Sequence, residues 1–283
     1  MSERNHLTEG PILKSLIKLS IPIIFANILQ TAYQITDTFW VGRLGTIAVA
    51  AVSISFPIIF LIISFGGGLA MVGAILVAQY KGKKDQKAIN HITYQTLLAV
   101  AVVSIILSAI GYFLSPHLIK LMGAEPSVFS EAVAYIKISF LGMIFMFTYM
   151  VFESLMRGVG DVKTPMYIIL GTVFLNLILD PLFIFGYKFI PSFGVAGAAA
   201  ATVGTEGLAV IIGISLLLKG KHQIQLQLNN LKPDFDLIKK MFRIGIPASG
   251  FYRTFYKSPR NDYYDFFSYR LWNLYFSGIW DWK

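Results

Sequence analysis

The chain contains no cysteine, so disulfides, thiolate metal centres and thiol nucleophiles are excluded together. Histidine is scarce as well. His6, His91, His117 and His222 are scattered, with no H-E-x-x-H spacing to set two ligands on one helical face. There is no Gly-x-Ser-x-Gly and no nucleophile–base pair, so the chain does not read as an enzyme. Charge is the third shortage. Asp, Glu, Lys and Arg make up 14% of residues, against roughly 25% in a soluble domain, too few to clothe a water-facing surface. Apolar bulk takes their place: 283 residues, 55% of them hydrophobic, with a mean hydropathy of +0.65. Disorder is excluded by that content. An integral, all-α, polytopic membrane protein is what remains.

The net charge of +9 does not indicate nucleic acid, because the charges sit in short breaks between apolar runs. A spanning helix needs ~20 mostly apolar residues to cross a hydrocarbon layer of ~30 Å. Six runs reach that length, at about 15–40, 50–79, 91–114, 132–156, 164–187 and 194–218. Gly82-Lys83-Lys84-Asp85, Ser115-Pro116 and Gly158-Val159-Gly160-Asp161 read as loops between them. The first run is too long and too polar for a cleavable signal peptide. Lys and Arg are enriched in cytoplasmic loops. With the N-terminus inside, 15 basic residues fall on inner segments, against Arg43, Lys120 and Lys188 outside.

An internal repeat begins and stops. Leu16-Ile17-Lys18-Leu19-Ser20-Ile21-Pro22 opens the first span, and Lys240-Met241-Phe242-Arg243-Ile244-Gly245-Ile246-Pro247 reproduces its pattern. Six spans followed by a restart suggest a six-plus-six design related by an axis along the membrane normal. The second unit does not follow. Residues 251–283 hold 14 aromatics among 33 residues, with no apolar run of span length and no helical or alternating period. This tail reads as out-of-frame or unrelated sequence, or alternatively as an interfacial aromatic segment. The expected organisation is a cytoplasmic segment at 1–14, a six-helix lobe at 15–218, a linker and the start of a seventh helix at 219–250, and the tail at 251–283.

Polar groups inside spans are costly and therefore informative. Asn27, Gln30, Gln34 and Asp37 recur at steps of three and four, a polar stripe on an apolar helix that must face a wet cavity or another polar stripe. The fifth span repeats the device with Thr172, Asn176 and Asp180. Asp180 precedes Pro181, which has no N–H to donate to the carbonyl of Leu177. The sixth span adds Thr202, Thr205 and Glu206 among glycines suited to close helix packing. Two carboxylates facing one partly dehydrated cavity cannot both ionise cheaply, so one can hold a proton and release it. Sodium would serve equally if Asp37, Asn176, Asp180 and Thr202 gave oxygens together. Asn27, Gln30, Tyr33, Gln34, Thr172, Thr205 and Glu206 are expected to line the cavity. Pro22, Pro57 and Gly67, the last within a Gly66-Gly67-Gly68 interruption of the second span, are candidate hinges.

Four motifs carry a family likeness. Asp37-Thr38-Phe39-Trp40-Val41-Gly42-Arg43-Leu44-Gly45, Arg157-Gly158-Val159-Gly160-Asp161-Val162-Lys163-Thr164-Pro165, Asn176-Leu177-Ile178-Leu179-Asp180-Pro181-Leu182-Phe183 and Gly194-Val195-Ala196-Gly197-Ala198-Ala199 stand in order. Over residues 10–249 the chain resembles the MATE family, the multidrug and toxic compound extrusion transporters, in its DinF-like branch. The resemblance implies a twelve-span antiporter that exports cationic amphiphiles against protons or sodium, without a cofactor. It implies that Asp37 is the first-helix carboxylate, that Asn176, Asp180 and Thr202 complete the ion or proton site, and that Pro22 is where the first helix bends. This chain carries one lobe of that fold, so the expected partners are the bilayer, small organic cations, and a second lobe or a homodimer. Two alternatives stand beside transport: a membrane fragment that inserts without exporting, and a lipid-linked precursor flippase of the same superfamily. A flippase should show basic residues in its cavity, and Lys137 is the one candidate.

Overall fold

A computed structural model describes residues 12–220, 223–226 and 232–248; the aromatic segment at 251–283 lies outside the described residues. Among the described residues seven helices follow one another: α1 (Ile12–Gly42), α2 (Thr46–Gly82), α3 (Gln86–Leu121), α4 (Pro126–Gly158), α5 (Lys163–Phe185), α6 (Gly194–Lys219) and α7 (Phe235–Ala248). Helices α2 to α6 are long and apolar enough to cross a membrane. Helix α1 is 31 residues long and carries Asn27, Gln30, Gln34 and Asp37 within its apolar sequence. The protein is a multi-pass, all-α membrane protein. One end of the bundle carries Lys81, Lys83, Lys84, Lys163 and Lys219 and is called the basic end below.

Two expected breaks are absent. Ser115-Pro116 lies inside α3, where Ser115 is buried and its hydroxyl donates to the carbonyl of Gly111 at 2.6 Å. Gly66-Gly67-Gly68 lies inside an unbroken α2. Packing accounts for Gly66, where a Cβ would sit 2.6 Å from the Phe147 ring of α4. The loops at 82–85 and 158–161 are present. The Asp85 carboxylate caps α3 by accepting from Ala88 N at 3.0 Å, and Gly160 turns the chain with φ 80°.

Helix α4 is central and packs on α2, α3 and α6, while α1 lies chiefly on α5. Phe147, Phe152, Met143 and Leu155 of α4 are among the largest fully buried side chains. The repeat at 240–247 is helical, as α7, and packs on α2. A Cβ at Gly245 would meet the carbonyl oxygen of Gly68 at 3.2 Å, so the two backbones approach closely.

The segments leading into α7 are tied to the start of α3. Gln95 is fully buried. Its Nε2 donates to the carbonyl of Lys232 at 2.8 Å, and its Oε1 accepts from the N–H of Asp234 at 3.1 Å. Asn90 Oδ1 accepts from Gln225 N and Gln86 Nε2, both at 3.0 Å, and Gln86 Nε2 also donates to the carbonyl of Gln223. Asp234 caps α7 by accepting from Leu237 N at 3.0 Å and pairs with His91 Nε2 at 3.0 Å. The Leu237 N–H first, and then His91, hold the Asp234 carboxyl below its ordinary value.

Candidate functional site

Each acid reaches the interior by a short local logic. Asp180 and Asn176 stand one turn apart on α5 and both are fully buried. The i,i+4 step brings Asn176 Nδ2 to Asp180 Oδ1 at 2.8 Å. Asp37 comes from α1, which lies along α5, and the Asp37 and Asp180 carboxyls are close enough to interact electrostatically. Tyr135 of α4 stands within electrostatic reach of Asp37, Glu206 and Asp180. On the α6 side, Tyr33 and Thr205 share a hydrogen bond at 3.0 Å. The Thr205 hydroxyl donates to the Thr202 carbonyl at 2.8 Å, so in this bond Tyr33 is the donor. Acids predicted on the first and fifth spans thus lie in one neighbourhood bounded by α1, α4, α5 and α6.

Buried polar atoms without partners gather on α1 and α5, which pack together. Asp37 Oδ1, Asn176 Oδ1, Asp180 Oδ2 and Trp40 Nε1 are buried without a hydrogen-bond partner. A fifth such atom, Thr93 Oγ1, lies on α3, which does not pack on α1, α5 or α6; nothing in the structure explains it. Leaving a polar atom unsatisfied within a bilayer costs several kcal/mol. Three oxygens from two carboxylates and an amide suit a proton or a hard cation. No Lys or Arg interacts with Asp37, Asp180 or Glu206 among the described residues. Nor do three His, Cys, Asp or Glu side chains gather there as a metal centre. Lys137 stacks over the Tyr112 ring at 5.2 Å, and Arg43 stacks over Phe39 and Trp40 at 4.9 and 5.8 Å, near the far end of α1.

Other predicted residues are placed differently. Asn27, Gln30 and Gln34 are exposed, so the α1 stripe divides into an outward part and an inward part formed by Tyr33 and Asp37. Thr172 turns its hydroxyl to the carbonyl of Ile169 at 2.9 Å and borders a groove between α5 and α6. Pro22 is buried within a continuous α1, and Pro57 is exposed within α2. At Gly67 a Cβ would come no nearer than 3.9 Å to Met150. Tyr135 and Trp40 went unnoticed in the sequence. Trp40 stood inside a quoted motif, and a tyrosine within an apolar run was the available signal for Tyr135.

A family model described as MatE matches residues 22–182. The protein named Probable multidrug resistance protein YoeA, from Bacillus subtilis (strain 168), is 34% identical over 240 residues, which is 83% of this chain and 52% of that protein. Probable multidrug resistance protein YpnP of the same organism is 33% identical over 242 residues, 85% of this chain and 53% of that one. The chain spans about half the length of these curated relatives. Among solved structures, an outward-facing multidrug resistance MATE family transporter of the MOP superfamily superposes with a TM-score of 0.80 at 26% identity, covering 88% of this chain and 55% of that one.

Proposed function

The chain belongs to the MATE family, and on that premise we propose that it serves secondary active efflux of cationic amphiphilic small molecules in exchange for protons or sodium. Asp37, Asn176, Asp180 and Thr202 bind the coupling ion. The observation that carries this reading is the set of partnerless oxygens on Asp37, Asn176 and Asp180, because buried oxygens without donors attract a positive ion. Tyr33, Tyr135, Thr205 and Glu206 border the same chamber. The basic end faces the cytoplasm of the cell membrane, in keeping with the Lys and Arg distribution. The exposed Asn27, Gln30 and Gln34 face a wet space shared with a second six-helix unit, from another lobe or another copy. The cycle then follows from charge: an ion on the acid pair lowers its negative charge by one, and release to the opposite side restores that charge, so the carboxylates attract a cationic substrate. A flippase reading is weaker, because Lys137 is engaged by Tyr112 rather than turned toward the acids.

The test is ethidium transport by the full chain in proteoliposomes under an imposed pH or sodium gradient. Gradient-driven ethidium movement that is lost in Asp37→Asn and Asp180→Asn is the expected result, and the effective gradient identifies the ion. Movement that persists in both variants overturns the site assignment. No movement by the wild-type chain favours a non-transporting membrane fragment.

A further inference from the structure

A groove of about 480 Å³ runs between α5 and α6, apart from the acid chamber. Its walls are set at four-residue steps: Thr164, Ile168 and Thr172 on α5, and Leu208, Ile212 and Leu216 on α6. Eight helical residues span about 12 Å, well under half of the ~30 Å hydrocarbon layer. The groove therefore belongs to the leaflet at the basic end. Its two hydroxyls are turned away: Thr172 donates to the Ile169 carbonyl, and Thr164 donates to Asp161 Oδ2 at 2.9 Å. Apart from Tyr167, whose phenol ring also lines the groove, the walls thus present methyl and methylene groups. Gly171 forms the floor, where a Cβ would find no other atom within 4 Å.

Two lysines lie just beyond the lining residues at the basic end. Lys163 directly precedes Thr164, Lys219 lies three residues beyond Leu216, and both are exposed. Neither forms an ion pair among the described residues. The nearby acid, Asp161, already accepts the N–H and O–H of Thr164. Two lysines above an apolar slot match one chemistry, an anionic head on an alkyl chain, and basic pockets between membrane helices favour acidic lipids. We propose that this groove binds one acyl chain of an anionic phospholipid, with Lys163 and Lys219 holding the headgroup phosphate. The site stands independently of the transport reading, since it shares no residue with the acid pair.

Native mass spectrometry of the full detergent-purified chain tests it, with dioleoyl phosphatidylglycerol, dioleoyl phosphatidylcholine and glycerol 3-phosphate as probes. The wild-type chain should retain one phosphatidylglycerol with about tenfold preference over phosphatidylcholine, and no glycerol 3-phosphate. Gly171→Leu fills the floor and should release the bound lipid. A double Lys163→Gln, Lys219→Gln variant should retain phosphatidylglycerol only as well as phosphatidylcholine. Ile212→Trp gives a second block of the groove should Gly171→Leu fail to fold, as judged by its thermal melt. Equal retention of both lipids by the wild-type chain overturns the proposal, as does phosphatidylglycerol retention unchanged in a folded groove-filling variant or in the lysine double variant. Capture of glycerol 3-phosphate alone would show a phosphate site without the lipid, and that also overturns it.

Discussion

Gln95 on α3 and Asn176 on α5 are both fully buried amides, yet they have opposite surroundings. Gln95 has both polar atoms engaged, one on the Lys232 carbonyl and one on the Asp234 N–H. Asn176 has one atom on Asp180 and leaves Oδ1 without a donor, as do Asp180 Oδ2 and Asp37 Oδ1. A satisfied buried amide contributes to stability, whereas an unsatisfied one costs stability and signals another purpose. The polar groups at the start of α3 hold the segment before α7 in place. Those between α1 and α5 keep oxygens without donors, the feature on which the proposed ion site rests. Burial alone does not separate the two classes; satisfaction does.

The comparison breaks most visibly at the acids. Asp180→Asn should abolish gradient-driven ethidium transport in proteoliposomes while leaving the thermal midpoint unchanged or raised, because removing a buried charge relieves its desolvation cost. A large fall in the midpoint would instead place Asp180 among the structural groups. Gln95→Ala should do the reverse. It strands a carbonyl and an N–H at roughly 1–3 kcal/mol each, lowers the midpoint, and speeds amide hydrogen exchange in α7 ahead of α4. Exchange that rises uniformly would show that Gln95 supports the whole bundle rather than the approach to α7. Gly66→Ala sharpens the contrast with hinges. Contact with the Phe147 ring should cost about 1–3 kcal/mol, while Gly67→Ala, with room beside Met150, should leave the melt nearly unchanged. If Gly67→Ala alone slows transport, bending at that position matters after all. The smallest effect concerns pH. The folded Asp234 carboxyl titrates below its ordinary value, so its capping contribution is complete above that value and fades as pH falls through the lowered one. The protection of α7 amides, corrected for the intrinsic pH dependence of exchange, should therefore be flat near neutrality and fall only in acid, and that fall should vanish in Asp234→Asn.

Much of this was legible in the sequence for physical reasons. Apolar run length revealed the helices because the hydrocarbon thickness fixes it, and Asp37 with Asp180 stood out because carboxylates are rare at that depth. Ser115-Pro116 misled because a serine can bond back to its own helix and a proline can sit inside one when the neighbours hold it. The triple glycine is ambiguous in the sequence because glycine serves close packing as readily as bending; the Phe147 ring accounts for Gly66, while Gly67 stays a hinge candidate. Gln30 and Gln34 look like Asp37 in a helical projection, yet the projection does not say which flank a neighbouring helix will cover. Gln86, Asn90 and Gln95 were invisible because their partners are backbone atoms more than a hundred residues away, and no pattern in a chain announces those.

The meeting of Gly245 with Gly68 has a consequence for movement. Main chain meets main chain there, beside the Leu69 side chain, so this one contact orders few rotamers when it forms. It behaves as a seat rather than a latch. Elsewhere on α7 side chains do set the register, since Met241 is fully buried and Leu237 and Phe242 pack against the core.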